Sequence, residues 1–222
     1  MTTQRRIWDA GRSIDLLGTL GPLRRGAGDP AHRLDADGRF WWACDTPAGS
    51  GTLLITLASR TAVEARAWGD GAEWLLERLP ALLGKGDDWS DLDLTGQPHL
   101  AHVRRGRAGL RLTATGLVFD SLAPAVLEQR VTGPEARRAW AALLRWYGTP
   151  APGPAGDAGM CVPPSARAVL DVTSWDWHRA GVDAQRQRAL RAAAGVAARL
   201  EECVGMAPAA AAQRLRSVPG IG

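Results

Sequence analysis

The stretch that decides the fold is Leu215-Arg216-Ser217-Val218-Pro219-Gly220-Ile221-Gly222. A helical pattern leads into it, and Pro219 ends that helix because proline has no N–H to donate and its ring clashes with the preceding turn. Gly220 and Gly222 permit a tight turn and a close approach of the backbone to a ligand, since no Cβ stands in the way. Exposed N–H groups of such a turn, and of a helix that follows it, form an anion site. The pattern therefore predicts a phosphate-binding turn at residues 218–222.

The composition of the chain is that of a globular protein with ordinary cores. Its 222 residues are 45% hydrophobic and 23% charged, and they suffice for one large or two small domains. We find neither an apolar run of membrane-spanning length nor the apolar run of a signal peptide at the N-terminus. The three cysteines, Cys44, Cys161 and Cys203, are far apart and lack metal-ligand spacing. Cysteines in this pattern are typical of reduced thiols in a cytoplasmic protein.

The positive charge of the chain is confined to its second half. Residues 1–110 hold 14 basic and 14 acidic side chains, whereas residues 111–222 hold 13 basic and 9 acidic ones, which accounts for the whole net charge of +4. Of the 27 basic residues only Lys85 is a lysine. The planar fork of arginine suits bidentate contacts to phosphate. A solvated basic surface explains the same charge equally well.

The first third of the chain has the pattern of an antiparallel sheet. Val63, Ala65 and Ala67 alternate with bulkier or charged residues, as in a half-buried strand. The pattern predicts strands at residues 39–46, 51–58 and 61–68, a helix at 71–83, and a polar linker that reaches residue 97. We expect Trp41 and Trp42 to point to opposite sides of their strand, so that at least one is in the core. This gives an N-terminal α+β domain at residues 1–97.

From Leu117 onward the pattern is helical. It predicts helices at residues 120–131, 134–147, 165–172, 174–180, 183–202 and 207–217, with a surface loop at 149–164 that is rich in Pro and Gly. In the helix at 183–202 we expect Arg186, Arg188 and Arg191 at or beside the solvent face. Residues 98–222 then form an all-helical domain, and the fold class is α+β.

Three segments of the helical half, in this order, resemble the helix-hairpin-helix DNA glycosylases of the bacterial DNA-3-methyladenine glycosylase II type. The first is Val126-Leu127-Glu128-Gln129-Arg130-Val131-Thr132-Gly133, which is similar to the helix end and DNA wedge of the family. The second is Trp175-Asp176-Trp177-His178-Arg179-Ala180-Gly181-Val182, and the third is the stretch at 215–222. The resemblance covers roughly the last half of the chain.

The resemblance implies a DNA-repair enzyme that acts on double-stranded DNA with alkylated bases. Such a protein flips the damaged base out of the duplex, holds it by aromatic stacking and cation–π attraction, and hydrolyses its N-glycosidic bond. An aspartate supports the oxocarbenium-like sugar or the attacking water. The resemblance implies no organic or redox cofactor, a monomer, and a monovalent cation held by backbone carbonyls, here those of Val218 and Gly220.

The candidate DNA-binding residues lie in the first and third segments. They are Gln129, Arg130, Thr132, Val218, Pro219, Gly220, Ile221 and Gly222. Gln129 and Arg130 also fit polar residues that cap helix carbonyls, and Thr132 fits an N-cap for the helix that Pro134 opens. For Trp175 and Trp177 we favour packing between helices over a place in the lesion pocket.

The catalytic aspartate of the family lies beyond the hairpin glycines, so we expect it beyond Gly222 and assign no catalytic residue in this sequence. Asp171, Asp176 and Asp183 do not match its position. We therefore expect the chain by itself to be inactive, as a fragment or a truncated product with an incomplete helical domain. Two alternatives stay open: a DNA-binding module without catalysis, and a glycosylase for oxidised or mismatched bases that uses a lysine nucleophile.

Overall fold

The N-terminal part of the chain is a five-stranded antiparallel sheet with two helices. A computed structural model describes residues 3–221. The strands are β1 (Gln4–Asp9), β2 (His32–Leu34), β3 (Phe40–Thr46), β4 (Gly49–Leu57) and β5 (Ala62–Gly69), and the helices are α1 (Leu16–Leu20) and α2 (Ala72–Leu82). The spatial order of the strands is β1-β5-β4-β3-β2. The three predicted strands and the helix after them are confirmed, whereas the short α1 and the two edge strands β1 and β2 were not predicted.

The two sides of the sheet face different partners. Phe40, Trp42 and Cys44 of β3 are buried in a core that includes α1 and α2. Trp41 and Ala43 point the other way, as expected for the period of a strand, and Trp41 stacks on Trp68 with ring centroids 5.7 Å apart. The prediction that at least one of the two adjacent tryptophans is a core residue is confirmed, because Trp42 is only 1% exposed.

The helical part begins after a short helix, α3 (Pro98–Gly106), none of whose residues is buried. Its elements are α4 (Val118–Leu127), α5 (Gly133–Tyr147), β6 (Thr149–Pro150), α6 (Pro154–Asp157), β7 (Cys161–Val162), α7 (Ala166–Asp171), α8 (Ser174–Arg179), α9 (Ala184–Gly195), α10 (Ala197–Glu201) and α11 (Pro208–Arg216). A single core of apolar side chains from α4, α5 and α7–α10 holds it together. This architecture confirms the α+β fold class. None of the helices among residues 3–221 is long and apolar enough to cross a membrane.

The predicted surface loop at residues 149–164 is wrong in part. Residues 149–162 contain the two-stranded pair β6–β7 around α6, and Ala151, Ala155, Met160 and Val162 are buried. These small and apolar side chains pack on Ala43 and Trp41, on the side of the sheet opposite α2. The segment that is rich in Pro and Gly is therefore a compact strand pair with a short helix, and it packs on the sheet.

Two predicted helices differ from the structure at places that matter for the site. The helix predicted at 120–131 ends at Leu127, so residues 128–131 lie in a turn. The helix predicted at 183–202 is broken at Val196, which separates α9 from α10. Gly195 precedes the break, and glycine followed by a β-branched residue is a poor sequence for continuing a helix.

A buried carboxylate joins the sheet to the helical part. Asp29 accepts hydrogen bonds from the backbone N–H groups of Arg25 and Ala31 and from the indole of Trp140 in α5, and it pairs with Nδ1 of His32 at 3.1 Å. Burial acts to raise the pKa of Asp29, but these bonds favour the charged form, and the net shift is downward. A satisfied carboxylate thus links α5 to the residues that lead into β2.

Candidate nucleic-acid interface

The first candidate segment is a turn between α4 and α5, residues 128–132, which we call the α4–α5 turn. Arg130 in it has φ = 56°, and it is the one non-glycine residue with positive φ in the described part of the chain. The left-handed conformation costs an ordinary L-residue roughly 1–2 kcal/mol. The surrounding contacts must therefore hold it, and the side chain of Arg130 is exposed to solvent.

The far side of this turn is fixed by the N-cap of α5. Glu135 accepts hydrogen bonds from the backbone N–H of Thr132 at 2.9 Å and from its hydroxyl at 2.8 Å. The N–H and the hydroxyl of Thr132 lower the pKa of the Glu135 carboxyl, since both stabilise its charged form. Thr132 is thus the N-cap residue of α5, and its hydroxyl is already engaged within the protein.

The second candidate segment is the hairpin, residues 218–221, which follows α11. The backbone N–H of Val218 donates to the carbonyl of Leu215, and that of Ile221 donates to the carbonyl of Val218, so the chain reverses within four residues. Val218 is 4% exposed and belongs to the helical core, whereas Pro219 and Gly220 are exposed. Gly222, which we also predicted to bind DNA, lies outside the described residues.

Gly220 is required in the hairpin for two independent reasons. Its φ is 87°, and a Cβ at this position would lie 2.6 Å from the Cβ of Ala189 in α9. Real Cβ contacts essentially never come closer than 3.0 Å. The hairpin therefore rests directly on α9. The sequence predicted a close approach of the glycine backbone to a ligand, and the close approach that the structure shows is to a helix of the same chain.

The structure brings the two candidate segments together across 91 residues of sequence. The side-chain amide of Gln129 donates to the carbonyl of Gly220 at 3.1 Å. Both segments also rest on α9, because Ala189 contacts the hairpin and Arg186 donates to the carbonyl of Leu127 at the end of α4. Two exposed loops and one helix thus form a single junction.

Arg186 corrects one prediction. It is 4% exposed, not at the solvent face, and it forms an ion pair with Asp183 at 2.7 Å. Its other two nitrogens donate to the carbonyls of Leu127 and Gly181, both at 2.9 Å. A buried guanidinium is tolerated when its donors are satisfied in this way. The sequence gives a weak signal of this role, an arginine three residues after an aspartate N-cap, which also fits an exposed ion pair.

Trp175 and Trp177 have different environments. Trp177 is fully buried in the helical core, which confirms the prediction for that residue. Trp175 is 70% exposed and lies near the ring of His178. The prediction of core packing was therefore wrong for Trp175, because α8 is only six residues long and buries one of its sides.

The acidic side chains near the junction have structural partners. Asp183 caps α9 by accepting from the N–H groups of Gln185 and Arg186, and Asp176 accepts from the hydroxyls of Tyr147 and Thr173. The hydrogen bonds from Tyr147 and then Thr173 lower the pKa of the Asp176 carboxyl. Burial raises the pKa of Asp120 to about 6, but this residue lies in the first turn of α4, at the opposite end of the helix from the α4–α5 turn.

The carbonyls predicted to hold a monovalent cation each accept one hydrogen bond from residues 3–221. That of Val218 accepts the N–H of Ile221, and that of Gly220 accepts the amide of Gln129. A carbonyl oxygen has two lone pairs, so each keeps one for a further partner. Among residues 3–221 no group of three His, Cys, Asp or Glu side chains is arranged to hold a metal ion.

Comparison with known proteins gives the class of fold. No protein-family model matches the sequence, and no curated protein matches it. Among solved structures, the chain is similar to a 3-methyladenine DNA glycosylase from Archaeoglobus fulgidus, with a TM-score of 0.77 and 15% identity over 98% of this chain and 75% of that one.

Two solved structures of glycosylases bound to DNA also have this fold. MBOgg1 in complex with a low-affinity DNA ligand has a TM-score of 0.68 and 14% identity. The match covers 100% of this chain and 76% of the MBOgg1 chain. An 8-oxoguanine glycosylase/lyase from Clostridium acetobutylicum, bound to double-stranded DNA, has a TM-score of 0.68 and 11% identity, with coverages of 100% and 75%. The chain therefore has the same fold as these DNA glycosylases.

Proposed function

We propose that this chain is the greater part of a base-excision-repair DNA glycosylase of the 3-methyladenine type, which flips alkylated bases out of duplex DNA and hydrolyses their N-glycosidic bonds. The observation that carries the proposal is the junction of the α4–α5 turn and the hairpin on α9. The two segments were singled out in the sequence for different reasons, and they meet through the bond from Gln129 to Gly220.

The roles of the two segments in this proposal differ. The hairpin presents exposed backbone at Pro219 and Gly220, which suits a DNA phosphate because backbone N–H groups bind anions irrespective of base sequence. The α4–α5 turn presents the exposed side chain of Arg130 on a rigid support. An arginine held in this way can enter the space that a flipped base leaves, at a cost of a few kcal/mol of lost stacking. Thr132 then contributes by fixing the turn.

A monovalent cation fits beside the hairpin in this proposal. The carbonyls of Val218 and Gly220 each keep a lone pair, and carbonyl oxygen is the donor that hard cations prefer. Such a cation would add positive charge next to a phosphate. The residues of this chain that would hold it act through backbone atoms, so no conspicuous side-chain motif is needed.

Catalysis in this proposal requires a carboxylate that we place in sequence following Gly222. Asp176 and Asp183 accept hydrogen bonds from local partners, and Asp120 lies at the remote end of α4. The unit of residues 1–97 and the helical unit of residues 98–222 would form the two sides of the base pocket. We propose that the enzyme acts as a monomer in the cytoplasm.

Two other functions compete with this one. A DNA-binding module without catalysis would use the same junction to grip backbone phosphates. A glycosylase for oxidised bases is favoured by the similarity to the 8-oxoguanine glycosylase/lyase, although the TM-score for the 3-methyladenine glycosylase is higher. Both alternatives predict binding of duplex DNA. They differ from our proposal in base release: the module releases no base, and the other glycosylase releases an oxidised base.

The experiment that tests the proposal is base release from methylated and from oxidised duplex DNA. The 222-residue chain is compared with a version extended into the codons that follow Gly222 in its gene. Release of 3-methyladenine by the extended version alone supports the proposal and places catalysis after Gly222. Release of 8-oxoguanine supports the oxidised-base alternative, and salt-sensitive binding with no release by either version supports the module.

A further inference from the structure

A line of arginines runs from the α4–α5 turn along the outer face of α5. We call this set the basic strip; its members are Arg25, Arg137, Arg138, Arg145 and Arg179. Three of them, Arg137, Arg138 and Arg145, lie on α5 itself, and none of these three forms a salt bridge with an acidic group of residues 3–221. Arg25 and Arg179 flank the helix on its two sides.

Two shallow cavities give the basic strip its shape. One, of about 370 Å³, is lined by Arg25, Arg137, Arg138 and Arg145, together with the backbone of Gly26 and Gly28. The other, of about 420 Å³, is lined by Val131, Arg138, Trp146 and Arg179, and by one carboxylate, that of Glu135. Arg138 and Ala142 border both cavities, so the two form one continuous surface along α5.

The acidic groups around this surface are already engaged. Glu135 accepts two hydrogen bonds from Thr132, and Glu128 pairs with Arg25 at 3.3 Å. Asp176 lies 3.9 Å from Arg179 but accepts stronger bonds from Tyr147 and Thr173. Like charges placed side by side repel one another, so a face of three unpaired arginines is better suited to an anionic partner than to water alone.

The strip is continuous with the junction proposed to bind DNA. Glu128 belongs to the α4–α5 turn and ties Arg25 to it, and Val131 of the same turn lines the second cavity. Arg138 and Arg145 are two helical turns apart, roughly 10 Å along the axis. One strand of a duplex presents a phosphate about every 3.4 Å of its axis, so this spacing spans about three phosphates.

The aromatic member of this surface fits the same partner. Trp146 is 36% exposed, and the guanidinium of Arg179 lies 4.0 Å from the centre of its ring. This contact holds the guanidinium in place while leaving its N–H groups at the surface. A pre-positioned guanidinium binds a phosphate with a smaller loss of side-chain entropy.

We propose that the basic strip binds the backbone of the duplex flanking the site that the α4–α5 turn and the hairpin occupy, so that the DNA follows the outer face of α5. This inference rests on the proposed function, since it extends the same DNA contact. It adds a second contact region of about three phosphates, which reads no base sequence. An acidic protein segment is the other partner that such a surface could take.

The test is the salt dependence of binding to an undamaged duplex, measured with the whole 222-residue chain. The triple variant Arg137→Gln/Arg138→Gln/Arg145→Gln is compared with a matched control, Arg60→Gln/Lys85→Gln/Arg105→Gln. The control removes three exposed cations that form no salt bridge in the described residues and belong neither to the basic strip nor to the junction. Thermal unfolding of both variants verifies that they are folded.

We expect the strip variant to reduce the slope of log affinity against log salt by about 2.7, because each lost phosphate contact reduces it by about 0.9. The control variant should change the slope by less than about 0.9, which is the contribution of one phosphate contact. On a short duplex that reaches only the turn and hairpin, the strip variant and the wild type should bind alike. Equal slopes for the strip variant and the wild type on the long duplex would overturn the inference.

The same measurement separates this inference from the proposed function. Should Gly220→Ala weaken DNA binding while the strip variant does not, the junction binds DNA and the strip does not, so only this inference fails. A wild-type chain that shows no affinity for either duplex removes the basis of both proposals. Binding of an acidic peptide with undiminished DNA binding by the strip variant would assign the surface to a protein partner instead.

Discussion

The α4–α5 turn and the hairpin rest on the same helix, α9, but they reach left-handed backbone conformations by different means. In the hairpin the left-handed residue is Gly220, which adopts φ = 87° without steric cost. In the α4–α5 turn it is Arg130, which adopts φ = 56° at a cost of roughly 1–2 kcal/mol.

The difference concerns what holds each segment in place. The hairpin requires only that residue 220 has no Cβ, because the backbone of Gly220 packs directly on Ala189. The turn is supported by hydrogen bonds between three pairs of residues: Arg186 with Leu127, Gln129 with Gly220, and Thr132 with Glu135. Strained residues persist where the surroundings over-determine them, often at functional sites. Of the two segments, the turn is therefore the one whose side chain at the strained position has a role in the proposed function.

The largest expected effect comes from the support of the turn. Replacing Arg186→Met leaves the carbonyls of Leu127 and Gly181 and the carboxylate of Asp183 without their donor. We expect the free energy of unfolding to fall by about 2–4 kcal/mol, because the carbonyls of Leu127 and Gly181 lose a charged donor and an unsatisfied buried acceptor costs about 1–3 kcal/mol. Denaturant unfolding measures this change. The control is Arg188→Met, an exposed position on the same helix, which should cost under about 0.5 kcal/mol. Equal effects of the two substitutions would contradict the role given to Arg186.

The next effect comes from the hairpin. Gly220→Ala places a methyl group against Ala189 and forces an L-residue to φ = 87°. We expect a loss of about 2 kcal/mol of stability and a weaker affinity for duplex DNA, because the hairpin must move away from α9. As a control, Gly195→Ala adds a methyl group at the end of α9 where nothing lies within 4 Å, and it should be neutral or stabilising by up to about 1 kcal/mol. A variant at Gly220 as stable as the wild type would show that the hairpin does not rest on α9.

The smallest effect is the most diagnostic, because its sign distinguishes the turn from a helix. Arg130→Gly removes the strain of the left-handed conformation, so we expect the protein to gain up to about 1 kcal/mol in stability. Had α4 continued to Val131, as its sequence pattern predicts, the same substitution would cost about 1 kcal/mol. Arg130→Asn, which tolerates this conformation, should fall between glycine and the wild type. Both variants should bind DNA more weakly in the proposed function, since they lose the exposed guanidinium.

Much of the fold was predictable because its signals are local. The alternation along β5, the helical spacing in α5 and the Pro–Gly pair in the hairpin each report on a few neighbouring residues. The edge strand β1 was missed because its pairing partner, β5, is remote in sequence. The edge strand β2 was missed because it has only three residues, too few to show an alternating pattern. The strand pair β6–β7 and the helix α6 at residues 149–162 were predicted as a surface loop because their burial depends on contact with the sheet.

The site shows the same limit. The hairpin and the helix end were both singled out from the sequence, but their contact through Gln129 is a tertiary event that no local pattern encodes. The burial of Arg186 depends in part on the carbonyl of Leu127, which lies about sixty residues earlier in sequence. Arg130 gave no signal of its conformation because arginine is an ordinary helix former, and a stretch such as Leu127-Glu128-Gln129-Arg130 continues a helical pattern.

The measurement that tests the central claim most directly is the affinity of the whole chain for duplex DNA when each segment is altered in turn. The claim is that the α4–α5 turn and the hairpin form one DNA-binding surface. We expect Arg130→Gln and Gly220→Ala each to weaken binding and to reduce its salt dependence, whereas Arg105→Gln on α3 leaves both unchanged. Binding by the first two variants that equals that of the wild type, at a temperature where all are folded, would contradict the account.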